Sequence, residues 1–274
     1  MSERGWIPAL AALWAGLAGC GFDIARGITD APVPDVPDVP PDMATGRVKP
    51  GLIGFWTFDD PPGSMFLADT SGAGTTVPIE VYNQGGIPAP MIANGNLVAN
   101  VPVRLYTAEN SRLAADAVSG GGATLEIWVM PRTNFQGASG EPAFIVGLAA
   151  NVASRDIALL QDGDKWVGLA RTTGALDGSP RLVSSSSASS TAMTHLVLTA
   201  SPSQRILYVD SVPQVMGTAG PLTGWDLTYP LALLDEYQHA RQWTGTVALV
   251  ALYNRGLSAP EIARNFALGP DAPP

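Results

Sequence analysis

The 274-residue chain has one cysteine and two histidines, and only 14% of its residues are charged. A single cysteine excludes an intrachain disulfide framework. The two histidines stand in no His-Glu-x-x-His motif, and the chain has no Cys-x-x-Cys, Gly-x-Ser-x-Gly or Walker spacing, so zinc and Ser/His catalysis lack their usual components. Lysine and arginine number 15 against 24 acidic residues, and the net charge of -9 makes nucleic acid a poor partner.

A hydrophobic run long enough to cross a membrane is also missing. The apolar stretch 6–17 is too short to span a bilayer but has the length of a signal-peptide core. It ends in Leu-Ala-Gly-Cys at 17–20, which resembles the bacterial lipobox, so residues 1–19 are predicted to be a lipoprotein signal peptide and Cys20 to carry the lipid. The alternative is an ordinary signal peptide or membrane anchor with a chance cysteine.

The membrane is therefore an expected partner through the lipid on Cys20. Gly21 follows the cysteine, where an aspartate would indicate retention at the inner membrane, so the resemblance to lipoproteins implies delivery to the outer membrane. Whether the protein faces the periplasm or the cell surface stays open at this point.

Residues 20–50 are predicted to be the lipidated cysteine followed by a linker. Its centre, 31–42, repeats proline and aspartate with no period that could bury an apolar face. Proline favours extended polyproline-II segments and the like charges repel, so this tract is predicted to be a spacer of several tens of Å, at about 3 Å per residue. A PxxP ligand is the alternative.

From Gly51 to Pro274 the chain is predicted to form one all-β domain, a two-sheet antiparallel jelly-roll sandwich. Short runs rich in β-branched and aromatic residues alternate with Gly/Pro/Asn/Ser clusters, which is typical of strands joined by turns. A Ser258/Glu261 capping box predicts one short C-terminal helix, and the serine-rich tract 184–190 is predicted to be a mobile loop. The strand-like runs are 52–58, 124–130, 143–148, 157–160, 166–170, 195–199, 206–209 and 246–253.

Four stretches, in order, resemble the concanavalin A-like lectin/glucanase superfamily, in its laminin-G-like (LamG) form. They are 51–59 with the Asp-x-Ser-Gly loop at 69–72, then 123–131, the hairpin 194–199 with 206–210, and 243–262. The resemblance implies the sandwich fold. It leaves the ligand open, because this fold hosts lectins, hydrolases and scaffolds.

Two departures from the family pattern bear on function. Many relatives hold a structural calcium with an acidic residue where this chain has Ala248, and loss of a carboxylate removes both a ligand and a charge. No cofactor is therefore expected: calcium is disfavoured, with Asp69 as the specific candidate ligand and an Asx-turn as its metal-free alternative role. The family's Asp-Gly turn is here Asp210-Ser211, which predicts a longer or bulged turn.

Catalysis by paired carboxylates is disfavoured by the positions of the acidic residues. A retaining glucanase needs two carboxylates about 5 Å apart, which a strand provides at alternate positions. Glu126 stands alone on its strand, and the adjacent Asp235 and Glu236 would point to opposite faces of a strand. His195 is interpreted as structural. The chain is therefore predicted not to be an enzyme.

The leading hypothesis is a non-catalytic, lipid-anchored module that recognises glycan or protein through its loops. A structural or adhesion domain that docks other proteins is the second hypothesis, and a degenerate glycoside hydrolase is the third. Trp56, Trp128 and Trp243 match core positions of the family, so the irregular stretch 217–242 supplies the candidate binding rim, with ordinary loop packing as the alternative. The candidate rim residues are Trp225, Tyr229, Tyr237, His239 and Arg241.

Overall fold

The computed structural model describes residues 46–82, 87–138, 140–172, 174–218, 220–239 and 241–274. The predicted signal peptide, Cys20 and residues 20–45 of the predicted linker lie outside the described residues. The last part of the predicted linker belongs to the folded domain, because Arg47 and Val48 are buried in it. The domain therefore includes residues on the N-terminal side of the predicted boundary at Gly51.

The described residues contain sixteen strands and two helices. In chain order they are β1 (Leu52–Trp56), β2 (Phe66–Leu67), β3 (Ile79–Tyr82), β4 (Met91–Ala93), β5 (Asn96–Ala99), β6 (Arg104–Tyr106), α1 (Arg112–Ser119), β7 (Ala123–Pro131), β8 (Ala143–Asn151), β9 (Ser154–Asp162), β10 (Lys165–Ala170), β11 (Leu182–Ser187), β12 (Thr194–Ala200), β13 (Gln204–Val209), β14 (Val212–Thr218), β15 (Leu231–Leu233), β16 (Gly245–Tyr253) and α2 (Ala259–Leu268).

The strands form two antiparallel sheets of eight strands each. Sheet A runs in the order β14-β13-β12-β7-β16-β5-β4, and β1 pairs with the C-terminal half of β16. Sheet B runs in the order β11-β10-β9-β8-β15-β6-β3-β2. The predicted two-sheet antiparallel sandwich is confirmed, and each of the eight strand-like runs overlaps one observed strand.

Alternation along the strands builds the core between the sheets. On β7, Leu125, Ile127 and Val129 point inward and are fully buried, while Glu126 and Trp128 point to the outer face of sheet A. Both faces of β7 are buried because α2 covers the outer one. The helix begins at the predicted capping box, where the backbone N–H of Ser258 donates to Glu261 at 2.8 Å, and it packs Ile262 and Phe266 onto sheet A.

Glu126 is the centre of a buried polar cluster under α2. Its carboxylate accepts hydrogen bonds from the Arg47 guanidinium at 2.5 Å and the Asn265 amide at 2.8 Å, and it lies 3.0 Å from Nε2 of His195. Burial alone would raise the pKa of Glu126, but the hydrogen bond with His195 and the charge of Arg47 lower it below its usual value. Because Arg47 also donates to the carbonyl of Gly269, the cluster ties both ends of the domain to one strand.

Helix α1 was missing from the sequence prediction, which had one helix. Leu113, Ala114 and Ala117 have helical spacing and are fully buried in the core, but the helix has only eight residues. Two turns give a weak periodic pattern in a chain dominated by strands.

The serine-rich tract was wrongly predicted to be a mobile loop, since 184–187 belong to strand β11 at the edge of sheet B. Its polar pattern reflects the edge position. The Oε1 atom of Gln214, on the neighbouring edge strand β14 of sheet A, accepts hydrogen bonds from the Ser185 hydroxyl at 2.6 Å and the Ser186 backbone N–H at 3.0 Å. These bonds satisfy edge groups that would otherwise be open to pairing.

The turn between β13 and β14 is shorter than predicted, and the bulge lies in the strand beside it, at Gln214, where the register shifts by one residue. Val209 pairs with Val212, so Asp210 and Ser211 form a two-residue turn, with φ of 49° and 63°. Aspartate tolerates the left-handed region, and here its carboxylate also accepts the backbone N–H of His195 at 2.9 Å. This hydrogen bond stabilises a turn without glycine.

Candidate functional site

The structure divides the five candidate rim residues into different environments. Trp225 is only 7% exposed, packs in the main core and donates its indole N–H to the Arg171 carbonyl at 2.8 Å. Its prediction as a rim residue was wrong, because the irregular stretch that carries it folds back into the sandwich. Tyr229 lies in the turn closed by its backbone N–H to the Asp226 carbonyl, and no ring contact of Tyr229 is found among the described residues.

Tyr237 and His239 lie together at the outer face of sheet B. The Tyr237 ring meets the ring of Tyr106 edge-on, with centroids 4.9 Å apart and planes at 85°, and Tyr106 contacts Tyr82 at 6.0 Å. The Arg104 guanidinium lies 5.8 Å from the Tyr82 ring centroid. These groups form a surface that we call the tyrosine face: Glu80, Tyr82, Arg104, Tyr106, Tyr237 and His239.

Strand alternation and register place the tyrosine face. In β3 and β6 the inward residues Ile79, Val81 and Leu105 are buried, so their neighbours point outward. Antiparallel pairing then sets Glu80 beside Tyr106. It also sets Tyr82 beside Arg104 and Tyr106 beside Ala232 on β15.

The phenols of Tyr106 and Tyr237 have raised pKa values. Burial and the neighbouring Tyr237 raise the pKa of Tyr106, and burial together with a hydrogen bond to Glu109 raises the pKa of Tyr237. Burial and the nearby positive charge of Arg104 lower the pKa of His239. At neutral pH the face therefore presents neutral hydroxyl and imidazole groups, one guanidinium and one carboxylate.

Tyr237 and His239 belong to the loop that follows β15, and buried groups of the same loop fix its conformation. Its Asp235 and Glu236 are buried: Asp235 accepts the backbone N–H groups of Glu236 and Arg241, and Glu236 accepts Nε of Arg155 at 2.8 Å. Burial raises the pKa of both carboxyls. The Asp235 and Glu236 pair thus lies in a loop rather than in a strand, and each side chain has its own partner.

Arg241, the fifth candidate, lies at the border of this loop. Its guanidinium pairs with the exposed Glu141 at 3.2 Å, and its carbonyl accepts the backbone N–H of Phe144 on β8. The charge of Arg241 is therefore partly engaged in fixing the loop to sheet B.

The carboxylate oxygens of Asp69 accept hydrogen bonds from backbone N–H groups, so both oxygens are already engaged. Its Oδ1 accepts the backbone N–H of Phe55 at 3.1 Å and of Ser71 at 3.0 Å, and its Oδ2 accepts that of Val77 at 3.0 Å. Arg112 adds an ion pair at 3.3 Å. The contact with Ser71 forms the Asx-turn that was the metal-free alternative role of Asp69.

In the described part of the chain, no group of three or more His, Cys, Asp or Glu side chains could hold a metal ion. The expectation that the protein has no cofactor and that calcium is disfavoured stays a prediction. The helices of the described part include none with the length and apolar character to cross a membrane.

The tyrosine face was not predicted as a unit. Tyr82, Arg104 and Tyr106 were missed because their contact with Tyr237 depends on the pairing of β3, β6 and β15, which are distant in the sequence. A signal was present: Ile-Glu-Val-Tyr at 79–82 and Arg-Leu-Tyr at 104–106 alternate between apolar and polar or aromatic residues. Such short runs place outward-facing groups on a sheet but do not show which strands are neighbours.

Solved structures share this fold over four fifths of the chain. A Trypanosoma rangeli sialidase in complex with sialic acid matches with a TM-score of 0.54 and 20% identity, over 80% of this chain and 33% of the sialidase. A structure described as a receptor binding domain matches with a TM-score of 0.58 and 11% identity, over 80% of this chain and 51% of that one. This chain thus spans a third to a half of the structures it matches.

Comparison with curated proteins gives no match. Residues 107–263, more than half of the chain, match the model of the Laminin_G_3 family, which is described as the concanavalin A-like lectin/glucanases superfamily. The matched region runs from the end of β6 into α2 and includes Tyr237 and His239. The chain therefore belongs to the concanavalin A-like lectin/glucanases superfamily.

Proposed function

We propose that this protein is a non-catalytic recognition module that binds glycan through the tyrosine face, and that a lipid on Cys20 holds it at the outer membrane. The observation that carries the binding proposal is the contact of three partly exposed rings, those of Tyr82, Tyr106 and Tyr237, on one sheet face. Aromatic rings with a polar edge offer an apolar platform and a hydrogen-bonding group together, which is what a sugar ring needs.

The chemistry of the polar groups supports glycan over a strongly charged ligand. Protonated phenols and a neutral His239 can donate to and accept from hydroxyl groups, while Arg104 and Glu80 provide one charge of each sign. The family description names lectins, and one matched structure is a sialidase in complex with sialic acid.

A binding role without catalysis fits the partners of the carboxylates near the face. A retaining glycosidase needs two carboxylates about 5 Å apart that can both reach the sugar. Asp235 and Glu236 are buried and bind the backbone of their own loop and Arg155. The exposed carboxylates at the face are Glu80 and Glu109, and Glu109 is engaged by a hydrogen bond with Tyr237. Glu80 is then the one without a partner among the described residues, and a single free carboxylate does not provide both an acid and a nucleophile.

A glycan array probed with the purified chain tests this proposal. We expect binding to at least one glycan class, and Tyr237→Ala to weaken it by about tenfold or more, since aromatic anchors dominate many interfaces. Tyr229→Ala is the matched control, because it removes the same side chain from a partly exposed position outside the face. It should leave the affinity unchanged.

Two results would contradict the glycan proposal. Equal loss of affinity in Tyr237→Ala and Tyr229→Ala, with both variants folded, would remove the tyrosine face as the site. Absence of binding to every glycan would favour the second hypothesis, a domain that docks other proteins.

The anchoring part of the proposal depends on Cys20, the one cysteine of the chain. The thioether-linked lipid requires its sulfur, so Cys20→Ser should yield an uncleaved or soluble species. Metabolic labelling with palmitate should mark the wild type and leave the variant unlabelled. Lack of label in the wild type would overturn the lipoprotein interpretation while leaving the glycan proposal intact.

A further inference from the structure

A cavity borders the tyrosine face at the edge of sheet B. This cavity of about 320 Å³, which we call the Phe66 pocket, lies between β2, β3 and the start of α1, and Glu80 belongs to both surfaces. Its volume lies at the lower end of the range for small-molecule sites, about 300–1,000 Å³. Side chains that line it include Phe66, Thr76, Glu80, Ala108, Ser111 and Arg112.

The apolar part of the pocket is open to solvent. Phe66 is 60% exposed although it lies in a strand and points outward beside Glu80. Val77 and Pro78 continue the apolar wall. An exposed ring at the mouth of an apolar pocket is an anchor for a hydrophobic group of a ligand.

The polar part of the pocket has one donor and one acceptor without partners. The hydroxyl of Ser111 is buried and has no hydrogen-bond partner among the described residues, although Ser111 is the N-cap residue of α1. The Glu80 carboxylate is exposed and makes no hydrogen bond or ion pair with any described residue. A buried hydroxyl without a partner is costly, so a ligand oxygen at this position is favoured.

The positive charge of the pocket wall is already neutralised. The Arg112 guanidinium donates to the carbonyls of Thr75 and Ile53 and pairs with Asp69 and Asp116. Glu80 therefore supplies the free charge of the pocket, and an anionic ligand group is disfavoured.

We infer that the Phe66 pocket binds the acetamido group of a neutral N-acetylhexosamine within the glycan held by the tyrosine face. The methyl group packs on Phe66 and the apolar wall, the carbonyl oxygen accepts from Ser111, and the amide N–H donates to Glu80. This inference rests on the proposed glycan function and names the sugar class that the same surface selects.

The test compares two oligosaccharides with the same linkage by calorimetric titration of the full chain. The probes are a β-1,4-linked trimer of N-acetylglucosamine and the matching glucose trimer, which has a hydroxyl in place of each acetamido group. We expect the acetamido trimer to bind about tenfold tighter or more. Ser111→Ala should remove most of that preference and leave binding of the glucose trimer unchanged. Glu80→Gln, which alters a group shared with the tyrosine face, should weaken binding of the acetamido trimer more than binding of the glucose trimer.

Phe135→Ala is the control for aromatic removal, because Phe135 is 69% exposed and lies elsewhere on the surface. It should behave as the wild type, whereas Phe66→Ala should weaken binding of the acetamido trimer. Thermal melting checks that each variant is folded, and Glu80→Gln keeps the test valid if Ser111→Ala destabilises α1.

The outcomes separate this inference from the proposed function. Equal affinity for the two trimers, or binding of neither, overturns the acetamido pocket, and the glycan array then decides the proposed function by itself. A preference that depends on Ser111 but is unaffected by Tyr237→Ala supports the pocket and overturns the tyrosine face.

Discussion

The outer face of sheet A and the outer side of strands β3 and β6 in sheet B differ in how far they are covered. On sheet A the outer face is closed by α2, and its buried Glu126 has partners from both ends of the domain. On sheet B the outer residues of β3 and β6 stay partly or fully exposed, and Tyr82, Tyr106 and Tyr237 line them. The central strands of sheet B are covered on that side as well, since outward residues such as Phe144 are fully buried in a separate apolar cluster. The contrast therefore lies between the covered face of sheet A and the β3–β6 end of sheet B, which carries the proposed binding surface.

The buried carboxylates follow the same division. Paired Glu126 has a lowered pKa, whereas burial raises the pKa of Asp235 and Glu236 beside the tyrosine face. One oxygen of Asp235 and one of Glu236 have no hydrogen-bond partner among the described residues. Buried carboxylates whose oxygens lack some of their hydrogen-bond partners are concentrated near functional sites. Buried carboxylates with a full set of partners are typical of structural contacts.

The largest expected effect is on the closed face of sheet A. Arg47→Ala removes the cationic partner of a fully buried carboxylate, and breaking a buried pair in this way costs about 3–5 kcal/mol. Urea unfolding of the variant should show that loss of free energy, together with earlier release of the C-terminal tail.

The control for this loss is Arg181→Ala, which breaks the ion pair with Asp162 at a side chain 34% exposed. Surface pairs contribute about 0–1 kcal/mol. If the two variants lost equal stability, the contrast between a structural sheet A face and an ordinary surface would fail.

Trp225→Ala tests the border between core and binding face. Trp225 was first predicted to be a surface anchor, but its burial and its hydrogen bond to Arg171 predict a loss of about 3 kcal/mol or more in unfolding free energy. Tyr237→Ala, at a partly exposed position, should cost well under that. If Trp225→Ala were stable but no longer bound glycan, Trp225 would have to be assigned to the binding surface.

Trp225 also shows where sequence reasoning reached its limit. The strands of the core were predictable because runs such as 124–130 and 246–253 carry their own apolar pattern. The stretch 217–242 has no period, so nothing local separates buried Trp225 from partly exposed Tyr237. Their difference arises from the Arg171 carbonyl and the Tyr106 ring, which lie far away in the chain.

The prediction for the Asp210-Ser211 turn was wrong for a related reason. Local propensity favours glycine at positive φ, and the sequence has none there. The carboxylate of Asp210 reaches the backbone of His195, a contact that the local sequence does not contain. In both cases a tertiary hydrogen bond decided the outcome.

The pH dependence of stability tests the buried carboxyls on the sheet B side. Burial raises the pKa of Asp156 from 3.8 to about 7, so its protonated form is favoured in the folded state. Its contribution to stability is therefore complete below pH 3.8 and is lost as the pH rises towards about 7. Asp156→Asn should flatten this part of the stability profile, an effect of up to about 4 kcal/mol.

Chemical unfolding at a series of pH values measures the effect. Asp116→Asn, at a side chain 38% exposed, is the matched control and should keep the pH dependence of the wild type. A profile for Asp156→Asn that overlays the wild type would show that the Asp156 carboxyl is solvated in the folded protein.

The smallest expected effect is that of chelation. A calcium ion present at a hundred times its Kd would add about 2.7 kcal/mol to the folded state, which corresponds to about 5–10 °C in the Tm of a domain of this size. The oxygens of Asp69 already accept three backbone N–H groups and pair with Arg112, and the family's acidic position is Ala248. EDTA should therefore shift the Tm by less than about 2 °C, with added calcium as the converse test. A fall of about 10 °C would mean that a metal stabilises the sandwich, and the Asx-turn would then be an incomplete account of Asp69.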